Sequence, residues 1–395
     1  MKIGFDVSQT GSGKAGCGYF ADSLVQALHE IDSQNDYILY PNFGTSYWDP
    51  SAKKTTRNIR SPHVTRKVIA SDVVESRRFW EDMTPEKEVL LGNPDIVHSN
   101  NFSCPKGFRK ARLIYTLHDL NFLEYPEFTT EENRWICFNG VFDAACYADY
   151  IVAASDYSRK MFLKVFPHYP ENRISVVYEG SRFTLDSLPD ASIQHRLKLD
   201  ADGFWLGVGT LEPRKNLRRL LEAYAIFRKE SGNIPPLVLA GGKGWMEDDL
   251  DVFIGGLGLS EHVRLAGYVS DPQLAWLYRN CFAFVYPSLY EGFGLPVLEA
   301  MSLGAAVVTS NVTSLPEVAG DAGILVNPLE RREMYLAMQQ LTENPELRQH
   351  LRKKAIVQSA RFSWENTAKR VLKIYCRILN EERHSSKSGR HAVAE

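Results

Sequence analysis

The chain of 395 residues has no CxxC pair, no apolar run long enough to span a bilayer and almost no excess of either charge. Its six cysteines (17, 104, 137, 146, 281 and 376) sit mostly in apolar surroundings. They read as free thiols in a reducing compartment, which leaves no basis for a disulfide framework. A net charge of −2 gives no global nucleic-acid signature, so we expect no nucleic-acid partner. Met1-Lys-Ile-Gly-Phe-Asp-Val7 starts a strand at once, with no sign of a secretory leader. We therefore expect a cytoplasmic protein, able at most to touch a membrane from the side. The loop Ser8 to Gly18 is no Walker A loop, because Lys14 is followed by alanine, and no third glycine completes GxGxxG after Gly16 and Gly18. No DxD pair has the surroundings of a metal site, so neither a metal nor another cofactor is expected.

What the chain does have is length for two domains and an ordinary globular composition, 44% hydrophobic and 24% charged. Short apolar runs alternate with helically spaced stretches along its whole length. In the first half the strands are read at 3–7, 37–40, 94–98, 112–117, 150–154 and 174–178. In the second half they are read at 205–208, 236–240, 263–265, 282–286, 305–309 and 323–326. The fold class is α/β, each half a doubly wound unit. Residues 1–185 form the first domain and 186–365 the second. The polar stretch 186–202 is the expected linker, and 383–395 an expected disordered tail.

The densest chemistry lies in Phe282 to Met301, FAFVYPSLYEGFGLPVLEAM. A buried strand ends at Pro287, Gly292 and Gly294 permit a tight turn, and Pro296 suits the first turn of a helix. Such a turn offers free N–H groups to an anion or a sugar oxygen. Glu291 before the turn and Glu299 in the helix are read as facing one ligand and accepting its hydroxyls. Arg214 and Lys215 stand just before a helix that starts near Leu217, where two cations and helix N–H groups suit a diphosphate. His118 follows the strand 112–117, at the strand end where open α/β sheets bind ligands. Gly16 and Gly18 lie in the loop after the first strand and are read as part of the site. Asp119 and Glu179 are given no role.

The stretch from Glu291 to Glu299 resembles the Glu-x7-Glu motif of the family-4 retaining glycosyltransferases. Thr210 to Asn216, Gly16 to Tyr19 and Ser314 to Ala319 are similar to other loops of that family. The resemblance covers nearly the whole chain and implies GT-B architecture, two Rossmann-like domains facing a cleft, with a final helix at 366–382 returning to the first domain. It implies that Glu291 and the turn Gly292, Phe293, Gly294 and Leu295 hold the donor sugar. Glu299 would hold the nucleotide ribose, Arg214 and Lys215 the leaving diphosphate, and His118 the sugar from the opposite side. Gly16 and Gly18 would lie beside the diphosphate and the acceptor. The pattern is most similar to bacterial mannosyltransferases of surface polysaccharide assembly that use GDP-mannose. The implied acceptor is a saccharide or a polyprenyl-diphosphate-linked glycan. UDP- and dTDP-sugars would use the same contacts, and an epimerase or a non-catalytic sugar-nucleotide binder would share the fold. Glu179 stands where many relatives have asparagine.

Residues 51–78 carry eight basic and two acidic side chains. With Val68, Ile69, Val73, Val74, Phe79 and Trp80 they are read as a patch for anionic lipid headgroups across 51–80.

Overall fold

A computed structural model describes residues 1–11, 14, 16–44, 47–48, 59, 61–242, 244 and 249–381. The first sheet holds seven parallel strands: β1 (Lys2–Asp6), β2 (Asp36–Tyr40), β3 (Val64–Arg66), β4 (Ile96–Ser99), β5 (Arg112–Leu117), β6 (Tyr150–Ala153) and β7 (Ile174–Val176), in the order β3-β2-β1-β4-β5-β6-β7. The second holds six: β8 (Trp205–Val208), β9 (Leu237–Ala240), β10 (Val263–Gly267), β11 (Ala283–Tyr286), β12 (Val307–Ser310) and β13 (Gly323–Val326), in the order β10-β9-β8-β11-β12-β13. Every pairing within these two sheets is parallel. The strands are apolar almost throughout because helices cover both faces. On β5, Leu113, Tyr115 and Leu117 enter one apolar cluster and Ile114 enters the other. Residues 42–43 and 47–48 add a small antiparallel pair.

In both sheets the order reverses between the first strand and its neighbour. That reversal opens a crevice outside the carboxyl ends of β1 and β4, and another outside β8 and β11. The helix Trp364–Asn380 belongs to the first unit, since Ala368, Val371, Ile374, Tyr375 and Ile378 are buried with Ile3, Phe5 and Phe20. Tyr375 fixes it further through His98, whose ring bonds Tyr375 Oη at 2.7 Å and Thr116 Oγ1 at 2.9 Å. Burial drives the His98 pKa down to about 3, so this is a neutral core histidine.

Several readings of the sequence change here. Gly16 and Gly18 stand in the first turn of a helix, Gly16–Ile31, that begins earlier than Tyr19. The stretch 186–202 is more than a linker: it carries the helix Ser192–Leu197, and Ile193 and Leu199 are buried in the second core. Trp80 is not part of a lipid-facing patch. It is 1% exposed, lies against Phe43 and donates Nε1–H to the Asn42 carbonyl at 3.1 Å. Its helix, Val73–Glu81, buries Ser76 and Trp80 and turns Val73, Val74, Arg77 and Arg78 to solvent, as four-residue spacing dictates. Residues 51–58 and 60 of that patch, and 382–395 of the tail, lie outside the described residues. Among the described residues no helix is long and apolar enough to cross a membrane.

The two units meet across the crevices. Glu317 accepts hydrogen bonds from the N–H groups of Asp156 and Tyr157 (2.9 and 2.8 Å) at the start of the helix Asp156–Val165, and from Tyr178 Oη at 3.1 Å. A carboxylate there complements the helix dipole. The Leu120 N–H reaches Tyr290 Oη at 3.3 Å. Gly292 lies so close to the first unit that a Cβ on it would fall 2.2 Å from the His118 carbonyl oxygen.

Candidate active site in the cleft

The loop after β8 and the turn after β11 meet because these strands are neighbours at the reversal point. The first loop ends in a 3-10 turn, Pro213–Lys215, which leads through Asn216 into the helix Leu217–Ser231. Asn216 has φ +59° and its side chain donates to the carbonyls of Pro287 (3.0 Å) and Pro328 (2.7 Å), fixing the loop on the second one. Arg214 and Lys215 then converge on Glu291. Arg214 Nη1 lies 2.8 Å from Oε2, and Lys215 Nζ lies 2.7 Å from Oε1. Tyr286 Oη and Ser288 Oγ donate to the same Oε1 at 2.8 and 2.7 Å. Arg214 also binds Glu212 at 2.6 Å and the Tyr290 carbonyl at 2.8 Å.

Electrostatics follow from this packing. Burial alone would raise the Glu291 pKa, but Arg214 and Lys215 reverse the effect and hold it at about 2. Burial and the Arg214 charge push the Lys215 ammonium down, while Glu291 and Glu212 pull it back. Two cations and two carboxylates, Glu212 included, thus share one buried cluster whose local charge sums to about zero. An incoming diphosphate would meet cations already fixed in place, which suits electrostatic stabilisation of a leaving group.

The turn itself carries Gly292, Phe293 and Gly294 (φ +111°) into the helix Leu295–Ser302. Phe293 is buried against Tyr178 and Phe362 and serves the core. Ser314 Oγ lies 2.8 Å from both the Glu291 and the Phe293 carbonyls, bracing the turn. Glu299 lies apart from the Glu291 cluster in its bonding. It pairs with Arg182 Nε at 2.7 Å and accepts from Tyr278 Oη at 3.2 Å. Burial raises its pKa in spite of Arg182. Arg182 also binds Asp271 at 3.0 Å and stacks over Tyr19, 4.1 Å from the ring centroid.

On the first unit, His118 is fixed by Nε2 to the Asn100 carbonyl (2.9 Å) and by an edge contact with Phe20 at 5.2 Å. Asp119 caps its own turn through the Asn121 N–H at 3.0 Å. Gly16 has open space around its Cβ position, whereas a Cβ on Gly18 would lie 2.1 Å from the Gln9 carbonyl oxygen. Gly18 is therefore required by the fold.

Sequence reasoning passed over several residues of this cleft. Tyr286, Ser288 and Glu212 stand in the quoted motifs and bind the cluster, and their polar groups at strand ends were the available signal. Arg182 gave none, since it meets Glu299 across 117 positions. Glu179 is 4% exposed and accepts no hydrogen bond among the described residues. Burial, opposed by His118 and reinforced by Glu299, raises its pKa to about 7. Among the described residues, no group of three or more His, Cys, Asp or Glu is arranged to hold a metal ion.

Comparison with known proteins matches this arrangement twice. The model described as Glycosyl transferases group 1 fits residues 191–358, and that described as Glycosyltransferase Family 4 fits residues 16–181. The chain is 35% identical to O-antigen chain mannosyltransferase B of Escherichia coli over 71% of its own length and 74% of that protein's. It is 36% identical to the serotype-specific mannosyltransferase WbdA of Escherichia coli over 80% of its length, spanning 38% of that longer protein. Among solved structures, HepE of Anabaena in complex with UDP-glucose superposes with a TM-score of 0.72 at 19% identity, covering 95% of this chain and all of that one. Sucrose-phosphate synthase from Thermosynechococcus elongatus gives 0.71 at 19% identity, covering 96% of this chain and 99% of that one. Paired Rossmann-like units, motif positions and sequence likeness agree: the chain belongs to the family-4 glycosyltransferases and has their GT-B architecture.

Proposed function

We propose that this glycosyltransferase moves mannose from GDP-mannose, with retention at the anomeric carbon, onto a lipid-linked glycan in O-antigen or related surface-polysaccharide synthesis. One observation carries the transfer chemistry: Arg214 and Lys215 are held on Glu291 at the reversal point, facing the first unit's His118 side. The choice of sugar is supported by the likeness to mannosyltransferase B, of which the chain spans 74%.

In this reading the donor diphosphate lies against Arg214 and Lys215, and Glu299 with Arg182 receives the ribose. The bond from the anomeric carbon to the phosphate oxygen breaks, and the departing charge is spread over the two cations. The acceptor oxygen bonds to the same face of the sugar, and its proton passes to an oxygen of the leaving phosphate. His118 and Glu179 approach from the first unit. The cations present supply the charge that a divalent metal would otherwise bring, so transfer is expected to proceed at full rate in EDTA. A rate lost in EDTA and restored by Mg²⁺ or Mn²⁺ would contradict that. The exposed Val68, Val73, Val74, Arg77 and Arg78 would rest on an anionic cytoplasmic leaflet, close to a membrane-anchored acceptor.

The test is calorimetric titration with GDP-mannose, UDP-glucose and a dTDP-hexose, followed by transfer assays with the donor that binds. GDP-mannose should bind in the micromolar range and the product should keep the donor's anomeric configuration. Preference for a UDP-sugar, or an inverted product, would sink the proposal.

A further inference from the structure

A second concavity opens beside the cleft in the first unit. It has a volume of about 170 Å³ and lies between the loop that follows β4 and the helix Glu131–Tyr147. Trp135, Asn139 and Asp143 line one side at four-residue spacing, so a single stripe of the helix presents an indole, an amide and a carboxylate. Phe102 and Lys106 line the other side, and Arg77 reaches in from the neighbouring helix. Lys106 Nζ pairs with Asp143 at 3.1 Å, and both side chains keep part of their surface in solvent. Trp135 is 60% exposed, an unusual position for so large an apolar side chain, and its ring stacks on no other among the described residues.

This set suits a pyranose. A sugar ring has an apolar C–H face that packs on an indole, and hydroxyls at its rim that need donors and acceptors together. A hydrocarbon chain would gain nothing from the ion pair or from Asn139. The walls are fixed in advance, because Gly140 brings the helix so close that a Cβ would fall 1.8 Å from the Phe102 carbonyl oxygen. Phe102 also connects the groove to the centre: its ring lies 6.2 Å from that of His118. A glycan resting on Trp135 could therefore continue past Phe102 toward the transferred sugar.

We propose that the groove between Phe102 and Trp135 is a saccharide subsite that seats a hexose of the acceptor glycan behind the unit being extended. This rests on the proposed function for the identity of the glycan, and hence for mannotriose as the probe, though not on the identity of the donor nucleotide. Soluble α-linked mannotriose is titrated into the full-length protein and followed by saturation-transfer NMR, alone and without donor. Binding at millimolar concentration is expected, lost in Trp135→Ala and kept in Trp135→Phe. In transfer assays Trp135→Ala and Asp143→Asn should raise the acceptor KM about tenfold, with kcat and donor affinity unchanged, since truncating a stacked aromatic contact typically removes about 1–2 kcal/mol. Absence of mannotriose binding to the wild type would overturn the subsite even where the donor binds. So would a Trp135→Ala protein that keeps its acceptor KM and instead loses binding to anionic vesicles. Failure of GDP-mannose to bind, with mannotriose binding intact, would strike the donor assignment and leave the subsite standing.

Discussion

Of the buried carboxyls near the strand ends of the cleft, Glu291, Asp6 and Glu179 differ sharply. On the second unit Glu291 touches two cations and two hydroxyls, and its pKa is held at about 2. On the first unit Asp6, the last residue of β1, accepts from the Ser8 and Asn100 N–H groups and from the Ser8 side chain but meets no cation at bonding distance among the described residues, and burial lifts it to about 6. Glu179, just past β7, has no donor among the described residues and rises to about 7. The difference teaches how a two-walled site divides its work. The wall with fixed cations suits a diphosphate. The wall whose carboxyls burial has raised presents less negative charge to that diphosphate than ordinary carboxylates would, and its groups can donate or accept as they titrate.

The comparison is broken most severely by Glu291→Ala. That variant leaves Arg214 and Lys215 buried with only Glu212 to oppose them. Removing one partner of a buried ion pair typically costs about 3–5 kcal/mol. Thermal unfolding should register a loss of that order, and transfer should fall about a thousandfold or more, because the cations lose their positions. A variant that keeps wild-type turnover would show that the cluster is structural only.

Lys215→Met is gentler, since Arg214 still holds Glu291. We expect kcat to fall about a hundredfold, in line with the loss of one preorganised charge, while the acceptor KM holds. A rise confined to the acceptor KM would move Lys215 to the other wall.

Much of this cleft is legible in the sequence. The strand–turn–helix around Glu291 and the Arg-Lys pair are local patterns, and apolar runs ending in Gly or Pro announce themselves. What stayed hidden depends on chain segments far apart. Arg182 reaches Glu299 only because the segment after β7 crosses to the second unit, and nothing around Arg182 in sequence signals that. The linker-like polarity of 186–202 concealed Ile193 and Leu199, two apolar positions that only the tertiary fold buries. The start of the first helix is hidden because Gly16 and Gly18 resemble a loop, while the close approach of Gly18 to Gln9 makes glycine the residue that fits within a helical turn.

The pH dependence separates the walls in sign. Glu179 has a folded pKa near 7 against an ordinary 4.5, so between those values the folded state holds a proton that the unfolded chain has released. Its contribution is full below about pH 4.5 and is lost as pH rises through about 7. Glu291 behaves in the opposite way: its stabilisation is present above pH 4.5 and is lost as pH falls toward 2. Glu179→Gln, which resembles the protonated form, should leave stability at pH 5 nearly unchanged and raise it at pH 8 by up to about 3 kcal/mol. Denaturant titration at the two pH values reads this directly. If the variant is equally affected at both, Glu179 is not the buried titrating group of the first wall.

The smallest effect concerns how each wall begins its helix. Gly294 has φ +111° in the second wall, and a Cβ there would meet Leu315 Cδ2 at 2.8 Å. Alanine at 294 is therefore strained on two counts and should cost about 1–3 kcal/mol. Gly16 opens the helix of the first wall with nothing within 4 Å of a Cβ and no positive φ. Gly16→Ala should change stability by less than about 1 kcal/mol, in the stabilising direction, because alanine loses less backbone freedom than glycine on forming a helix. Activity then decides what Gly16 is for. Unchanged kcat and donor KM would mean that this helix start is scaffolding. A donor KM raised severalfold at unchanged stability would mean that a substrate approaches the bare backbone there, and the first wall would share in binding the donor.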